Sequence, residues 1–365
     1  MIRVAVLVPG IMGSKLFYGT GSNRREVWGD NFLKNYREII KQPAALDWNG
    51  TPAAATELLT YVYTSNTSKF LKLPKYRLWD GVIRYLKAHP EFGKDGQIWE
   101  YSYDWRDSLI NTADTLGQDV DKYTEDLAEK RGVSPSVIRY VFLTHSMGGL
   151  VVRIALARGA LHPSAIDRIV HIGTPLEGSA SAFRSAYRTG GLPLMQTLYK
   201  VFESRKNAPV YFQSFLKSVR SFPSVYQLMP PQNNDYLIYP RRRSNPLKEK
   251  VIHSGDQAHA AAAHQALVRA NQILQQGIRI YTIYSEYHTK HTDLEYEVEQ
   301  ITYPNARYEI MEPMPYGKTN AGDGTVPMLS AQGNKPPCIW HRVTHADHTT
   351  MCNDEAVIDQ LPRVL

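Results

Sequence analysis

Short apolar runs rich in β-branched residues recur along this chain and constrain its fold more than any other feature. The clear runs cover residues 2–8, 137–143, 166–172 and 278–284, with a weaker one at 97–101. Helical periodicity fills segments between them, at 79–89, 112–130 and 148–158. A strand without polar alternation is typical of a parallel sheet that is covered on both faces. The alternation of strands and helices predicts an α/β fold with a mostly parallel central sheet and helices on both faces.

The stretch at 179–276 interrupts this alternation. It is rich in aromatic side chains with Arg and Lys between them, and it contains no clear strand pattern. Its last part, 259–276, has the spacing of a helix, which Gly277 ends. An insertion of this length within an α/β core is typical of a cap. We therefore expect a core that begins with residues 1–178, a cap insertion at 179–276, and a second part of the core at 277–365.

The composition is that of a folded globular protein, since 43% of the residues are hydrophobic and 21% are charged. This balance excludes disorder for most of the chain. The formal net charge of +7 predicts attraction to an anionic membrane surface or an acidic ligand, and it does not by itself favour a nucleic-acid partner. No segment approaches the roughly 18 uninterrupted apolar residues that a membrane span needs, so we do not expect an integral membrane protein.

The first residues resemble a secretion signal only faintly, because Pro9 and Gly10 interrupt the apolar run. We expect this run to be a buried strand and the protein to be cytoplasmic, or else a mature chain from which a leader was removed.

Two cysteines, Cys338 and Cys352, are too few for a disulfide scaffold or a four-thiolate zinc site. A single bridge and two free thiols both remain open.

Ser146 stands where an apolar strand pattern gives way to a helix pattern, with Gly148 and Gly149 close behind it. Such a strand, turn and helix form a nucleophile elbow, which holds a serine hydroxyl exposed at the carboxyl end of the sheet. Thr144 occupies the position at which the usual G-x-S-x-G pattern has its first glycine. A β-branched residue there changes the packing between strand and helix and leaves the chemistry intact. Ser146 is therefore the predicted nucleophile.

A serine hydroxyl is a poor nucleophile near neutral pH and needs a histidine base, which a carboxylate must orient. After a nucleophile elbow, the acid and the histidine follow in that order along the chain. Asp323 lies in a tight glycine turn at 322–327, and His348 follows just before a final helix that is expected near Asn353. Asp323 is the predicted acid and His348 the predicted base, with His345 as an alternative base.

Acyl transfer also requires backbone N–H donors that face the developing oxyanion. The residue after the nucleophile, Met147, is expected to supply one donor. Ile11, in the loop after the first strand, is expected to supply the other. Gly10 and Gly13 permit the close approach that such a loop needs. The predicted oxyanion hole thus consists of the Ile11 and Met147 amides.

Six segments in register resemble the lecithin:cholesterol acyltransferase-like α/β hydrolases, a family that includes lysosomal phospholipase/acyltransferases and phospholipid:diacylglycerol acyltransferases. The segments are 6–14, 101–106, 144–149, 173–179, 322–327 and the one around His348. The resemblance implies an α/β-hydrolase fold. It also implies an ester-cleaving, lipid-directed enzyme that uses Ser146, Asp323 and His348.

The resemblance further implies a lid near Trp28, in a segment around 20–75, and a cap after Ser179. The predicted substrate contacts are Met12, Trp28, His145 and Leu176. Secreted members of the family carry an extra cysteine pair in the lid, which this chain lacks. Asp104 and Arg106, in the segment 101–106, are expected to form a structural ion pair rather than a catalytic one.

These features predict a serine-dependent acyl hydrolase or acyltransferase that acts on a lipid or another hydrophobic ester. Two alternatives stay open: an esterase for a macrocyclic lactone or secondary-metabolite ester, since the cap decides what enters, and a non-catalytic protein that binds a hydrophobic ligand. No cofactor and no metal are expected, because the histidines near His348 are typical of hydrogen bonding rather than zinc binding. The sequence leaves open the oligomeric state and whether water or an alcohol accepts the acyl group.

Overall fold

The computed structural model describes residues 1–19, 23–31, 34–35, 37–38, 42–63, 76–94, 97–187, 215–231, 254–275, 277–286, 292–302, 309–319, 321–333 and 338–365. In this described part the strands are β1 Ile2–Val8, β2 Ser14–Tyr18, β3 Arg25–Trp28, β4 Ala54–Leu58, β5 Tyr61–Val62, β6 Tyr76–Arg77, β7 Ile98–Glu100, β8 Ile138–His145, β9 Ile166–Ile172, β10 Arg279–Ser285, β11 Thr292–Thr302, β12 Glu309–Thr319 and β13 Ile339–Val343. The α-helices are α1 Asp80–Ala88, α2 Leu109–Arg131, α3 Met147–Arg158, α4 Ala180–Tyr187, α5 Pro223–Gln227, α6 Ser254–Leu274, α7 Met328–Gln332, α8 Glu355–Ile358 and α9 Leu361–Val364. Much of the predicted cap at 179–276, and part of the predicted lid near 20–75, lie outside the described residues.

The core is one parallel sheet of six strands in the order β13-β10-β9-β8-β1-β7. Its strands include all the apolar runs of the sequence, so the predicted α/β class is confirmed. The five residues from Val4 to Val8 of β1 have no exposed surface. Because successive side chains point to opposite faces of a sheet, both faces of β1 are covered. The carboxyl ends of the strands meet at one edge, where the loops that follow them converge.

The predicted helices at 79–89, 112–130, 148–158 and 259–276 correspond to α1, α2, α3 and α6. Capping explains the bounds of α2. The Ser108 side chain accepts a hydrogen bond from the Ile110 N–H at its start, and Gly132 adopts a left-handed conformation at its end. α6 begins earlier than the apolar spacing predicts, at Ser254.

The edge strand β13 is not among the strands that the apolar runs of the sequence predict. β13 pairs in parallel with β10 over its whole length. Its first two side chains, Ile339 and Trp340, are 56% and 52% exposed. An exposed edge strand lacks the continuous apolar pattern of the inner strands, and this is why the pattern missed it.

The helix expected near Asn353 is present as α8, which begins at Glu355, and the short helix α9 follows it. The structure has a 3-10 turn at His348–Asn353, followed by the separate helix α8. The Asp347 side chain accepts a hydrogen bond from the Thr349 N–H and caps the turn. The Asp354 side chain accepts one from the Ala356 N–H and caps α8. The two capping side chains, Asp347 and Asp354, therefore separate the 3-10 turn from helix α8.

A small antiparallel sheet in the order β3-β2-β4 lies within the segment 14–58 and was not predicted. The expected ion pair between Asp104 and Arg106 is buried and contacts this segment, with 2.6 Å between Oδ2 and Nη2. Asp104 also accepts a hydrogen bond from the Ala53 N–H at 2.7 Å, and Arg106 donates to the Leu46 carbonyl at 3.1 Å. The pair therefore fastens this segment to the loop after β7.

A hairpin separates β10 from the predicted acid along the chain. β11 and β12 form this antiparallel pair, which is inserted between β10 and the turn at 322–327.

Cys338 and Cys352, whose state the sequence left open, are both free thiols. In the described part of the chain, no helix has both the length and the apolar character needed to cross a bilayer.

Candidate active site

The site is built on the junction of β8 and α3. Between these elements, Ser146 adopts φ 53° and ψ −127°, a positive-φ conformation that strains any residue with a side chain. Its N–H donates to the Ile172 carbonyl at the end of β9, at 3.1 Å. A Cβ on Gly148 would lie 2.3 Å from the Val8 carbonyl oxygen, so glycine lets α3 start against β1. This is the backbone arrangement of a nucleophile elbow, with Ser146 at its apex.

Thr144 fits this junction because its side chain has partners. It is fully buried, and its Oγ1 lies 2.8 Å from the Nδ1 atom of His171 on the neighbouring strand. Arg153 on α3 donates from Nε to the other ring nitrogen of His171 at 3.0 Å. Since that nitrogen accepts, His171 carries its proton on Nδ1 and donates to Thr144. The β-branched residue is thus accommodated by a hydrogen bond across the sheet.

Three side chains from distant parts of the sequence meet at the elbow. The Ser146 Oγ atom lies 2.9 Å from His348 Nε2, and His348 Nδ1 lies 2.7 Å from Asp323 Oδ2. An ionised carboxylate only accepts hydrogen bonds, so the Nδ1–H of His348 donates to Asp323. The free Nε2 lone pair then accepts from the Ser146 hydroxyl. This tautomer leaves His348 able to take the serine proton.

The turn at 322–327 presents the Asp323 carboxylate to His348. Its Oδ1 atom accepts hydrogen bonds from the backbone N–H groups of Thr325 at 3.0 Å and Val326 at 2.7 Å. Its Oδ2 atom remains for His348. The Asp323 carbonyl also accepts from the His348 N–H at 3.1 Å, so the acid and the base are joined through side chain and main chain alike.

The electrostatic environment shifts the pKa values of the two neighbouring histidines, His348 and His145, in opposite directions. Burial lowers the pKa of His348, but the attraction of the Asp323 carboxylate and the hydrogen bond to it outweigh burial and raise that pKa above its usual 6.5. For His145, desolvation and the repulsion of His348 act together and lower the pKa to about 3. His145 is therefore neutral at any pH near 7, whereas His348 gains a proton readily.

The structure distinguishes the two histidines that the sequence left as alternatives. His345 has an exposed side chain and a positive φ of 62°, and it does not line the cleft described below. His348 is 7% exposed and contacts both Ser146 and Asp323. His341 lies on β13, where its Nδ1 atom is 3.2 Å from the Gln360 side chain. The described residues contain no group of three His, Cys, Asp or Glu side chains arranged to hold a metal ion.

The loop at 9–14 carries the predicted oxyanion donor Ile11 and passes directly beside Ser146. In the described part of the chain, the amides of Ile11 and Met147 have no hydrogen-bond acceptor. Two N–H groups beside a nucleophile, both free to donate, are what an oxyanion hole requires. A Cβ on Gly10 would lie only 2.7 Å from the Ser146 Cβ, which shows how close the loop comes to the serine.

Aromatic side chains from other elements hold this loop in place. The Tyr103 hydroxyl donates to the Pro9 carbonyl at 2.7 Å, and Trp28 Nε1 donates to the Met12 carbonyl at 3.1 Å. Trp105 Nε1 donates to the Ser14 carbonyl at 3.1 Å. These roles of Tyr103 and Trp105 were not predicted, although both residues lie in the motif at 101–106. Each contact depends on the tertiary fold, which no local pattern reveals.

We expect replacement of Gly10 by alanine to lower kcat/KM by about 10²-fold, because the new methyl group displaces either the loop or Ser146. The matched control is Gly255→Ala, since a Cβ on Gly255 meets nothing within 4 Å. Ester hydrolysis and thermal unfolding are measured for both variants. Wild-type kcat/KM in a folded G10A variant would contradict the close approach of the loop.

An apolar cleft opens over Ser146 and has an empty volume of about 920 Å³, including its solvent-open mouth. Among the residues around it are Met12, Leu78, Trp79, Pro175, Val225, Leu228 and Val326. The hydroxyls of Ser179 and Ser181 on another wall both donate to the Thr325 carbonyl, at 2.8 and 3.1 Å. Ser185 donates to the Ser181 carbonyl at 2.7 Å. The hydroxyl protons of these serines therefore face the backbone rather than a ligand.

The predicted substrate contacts divide into two pairs. Met12 and His145 line the cleft. Trp28 and Leu176 do not: Trp28 is 1% exposed and packs edge to face against Trp105, and Leu176 is 8% exposed in the core. The structure thus gives Trp28 a place behind the loop at 9–14 instead of at the substrate. Trp79, which also lines the cleft, belongs to none of the recognised motifs, and no sequence signal identified it.

A parallel sheet with serine, carboxylate and histidine following one another at its carboxyl edge defines an α/β hydrolase. A model of the family "LCAT: Lecithin:cholesterol acyltransferase" matches residues 54–261, which is more than half of the chain. The protein therefore belongs to the lecithin:cholesterol acyltransferase family, as the sequence motifs indicate. No curated protein matches the sequence.

Solved structures resemble the fold at low sequence identity. A chain in the crystal structure of the Tle4–Tli4 complex is 12% identical and superimposes with a TM-score of 0.59, covering 98% of this chain and 96% of that one. The lin2722 product of Listeria innocua is 11% identical with a TM-score of 0.40, covering 100% and 94%. The mature Bacillus licheniformis lipase BlEst2 is 11% identical with a TM-score of 0.35, covering 99% and 91%. The first of these likenesses supports the α/β-hydrolase fold.

Proposed function

We propose that this protein is a serine-dependent acyl hydrolase or acyltransferase for a lipid or another hydrophobic ester. The observation that carries the proposal is the unbroken chain of hydrogen bonds from Ser146 through His348 to Asp323, which opens into an apolar cleft. Membership of the lecithin:cholesterol acyltransferase family supports the same class of reaction. A protein that only binds a ligand has no need for a base that is oriented toward a strained serine.

In the first half of the reaction, the Ser146 Oγ atom attacks the ester carbonyl carbon. His348 Nε2 takes the serine proton, and Asp323 stabilises the imidazolium that forms. The carbonyl oxygen becomes an oxyanion, which the N–H groups of Ile11 and Met147 stabilise. His348 then gives its proton to the leaving alkoxide, so that the alcohol departs and the acyl group remains on Ser146.

In the second half, water or an alcohol attacks the acyl-enzyme. His348 removes a proton from this acceptor, and the acyl group leaves as an acid or as a new ester. The proton finally returns from His348 to the Ser146 oxygen. The same three side chains thus serve hydrolysis and transfer, and the acceptor that reaches the cleft decides between them.

The apolar lining of the cleft supports an aliphatic acyl group as the part of the substrate nearest Ser146. Its only titratable lining residues, within the described part of the chain, are His145 and His348. The formal net charge of +7 supports docking of the whole protein at an anionic surface that presents such esters. Charge and cleft therefore favour a membrane lipid over a small soluble ester.

Ala182 on α4 offers a test of the acyl site, because it is 5% exposed and lines the cleft. We expect Ala182→Phe to fill part of the cleft and lower the ratio of long-chain to short-chain ester turnover by about 10-fold or more. Ala258→Phe, at an exposed position of α6, is the matched control. A series of p-nitrophenyl esters of increasing chain length measures the ratio. If A182F keeps the wild-type ratio of long-chain to short-chain turnover, the acyl chain does not bind in the part of the cleft next to Ala182.

The central experiment combines labelling with product analysis. A fluorophosphonate probe is expected to modify wild-type protein at Ser146 and to leave Ser146→Ala unlabelled. Mixed phospholipid vesicles, anionic or neutral, are then supplied with and without a long-chain alcohol, and the released acids and new esters are identified. Absence of labelling in a folded wild-type protein, together with no turnover of any ester, would overturn the proposal and favour the ligand-binding alternative.

A further inference from the structure

His145 is a partly buried histidine at the centre of the site that the mechanism above does not use. It is the residue before Ser146, at the end of β8. Its Nε2 atom lies 2.8 Å from the carbonyl oxygen of His348. A carbonyl oxygen accepts hydrogen bonds, so the Nε2–H of His145 is the donor. The elbow is therefore bonded directly to the main chain of the predicted base.

The orientation of the His145 ring is held by its neighbours. Its centroid is 4.9 Å from that of the His348 ring, with 39° between the planes. Trp79 packs against it in an edge-to-face arrangement, with centroids 6.2 Å apart. An imidazole in contact with two other rings loses little entropy when it forms its hydrogen bond. The Nε2–H group of His145 is thus held in the direction of the His348 carbonyl oxygen.

With this bond, the main chain of His348 is fixed at both of its polar groups. Its N–H donates to the Asp323 carbonyl at 3.1 Å, and its C=O accepts from His145. The residues just before it do not form a regular element, and His345 has a positive φ of 62°. A loop without ladder hydrogen bonds needs such local partners to hold one conformation.

We infer that His145 is a positioning residue, which fixes the His348 main chain by hydrogen bonding and so keeps Nε2 of His348 in reach of the Ser146 hydroxyl. The inference rests on the proposed function. A neutral ring is suited to this task, because a cation at this distance would oppose the positive charge that His348 acquires during catalysis. The sequence analysis instead predicts a substrate contact for His145, and the two roles predict different kinetics.

A substrate contact contributes to KM, whereas a positioning contact contributes to kcat. The decisive pair of variants is His145→Gln and His145→Asn, which carry the same amide group. The glutamine amide reaches about as far as the imidazole Nε2 atom, and the asparagine amide is one methylene shorter. We expect H145N to lower kcat by about 10- to 100-fold with KM nearly unchanged, and H145Q to restore most of the loss.

Two further measurements separate positioning from folding. The rate of fluorophosphonate labelling at Ser146 is expected to fall in H145N and to recover in H145Q, while the thermal unfolding midpoints of the two stay close. The matched control is His264→Leu on α6, because His264 is a buried histidine that lies outside the cleft. We expect this control to keep the wild-type kcat.

The inference is overturned by wild-type kcat in H145N, by an equal loss of kcat in H145Q and H145N, or by a loss confined to KM. Failure of the proposed function gives a different result. In that case the wild-type protein itself would be neither labelled at Ser146 nor active on any ester, whatever the His145 variants do.

Discussion

Replacement of Ser146 by alanine is expected to lower kcat by about 10⁶-fold, because the variant has no nucleophile. The residual rate is expected to come from the proposed oxyanion donors, the Ile11 and Met147 amides, and from binding of the ester in the cleft. We expect the variant to remain folded, since alanine keeps the Cβ atom that already occupies the positive-φ conformation at this position. Steady-state ester hydrolysis and thermal unfolding measure the two effects separately.

The control for this variant is Ser136→Ala, which removes a hydroxyl from an exposed position outside the cleft. We expect it to retain wild-type kcat and wild-type labelling by a fluorophosphonate. If S146A turned over esters at a rate comparable with S136A, Ser146 would not be the nucleophile. If S146A lost both activity and folding, the site of fluorophosphonate labelling in folded wild-type protein would identify the nucleophile instead.

Replacement of Asp323 by asparagine is expected to lower kcat/KM by about 10⁴-fold, because the amide no longer holds the correct tautomer of His348. It is also expected to shift the pH profile. The base acts in its neutral form, so wild-type activity falls as the pH drops through the raised pKa of His348, above 6.5. Without the carboxylate, burial lowers the pKa with little opposition, and the acid midpoint moves to a lower pH.

The same change has a consequence for stability. A pKa that is higher in the folded than in the unfolded state contributes stability below the unfolded value, and this contribution is lost as the pH rises through the folded value. The His348–Asp323 pair should therefore stabilise the wild-type protein more at pH 5 than at pH 9. The difference in thermal midpoint between wild type and D323N should narrow across that range. An acid midpoint that is the same in both proteins would contradict the role given to Asp323.

Local patterns predicted those parts of the molecule whose conformation is dictated locally. The parallel strands appear as continuous apolar runs because both faces of each strand are buried. The turn at Ser146 is visible because strand, serine and small residues are adjacent in the sequence. The order of Asp323 and His348 after the elbow was expected for the same fold, and the structure brings these side chains into contact.

Features that depend on contacts between distant residues were not predictable in this way. β13 is exposed at the edge of the sheet and has no continuous apolar pattern. Trp28 was predicted to contact the substrate, whereas its indole donates to the Met12 carbonyl in the loop at 9–14. The bond from His145 to the His348 carbonyl joins residues 203 positions apart, and neither residue type nor spacing reveals it. The cytoplasmic location stays a prediction.

The wide separation of Ser146 and His348 along the chain affects how the protein is made. They lie 202 positions apart, and ribosomes add about 5 to 20 residues per second, so a growing chain holds the serine for about 10 to 40 s before the histidine is synthesised. During that time the nascent polypeptide lacks the base that the proposed reaction needs. If the proposed function is correct, full activity is therefore acquired late in translation, and a fragment that ends before position 348 is expected to lack His348-assisted catalysis.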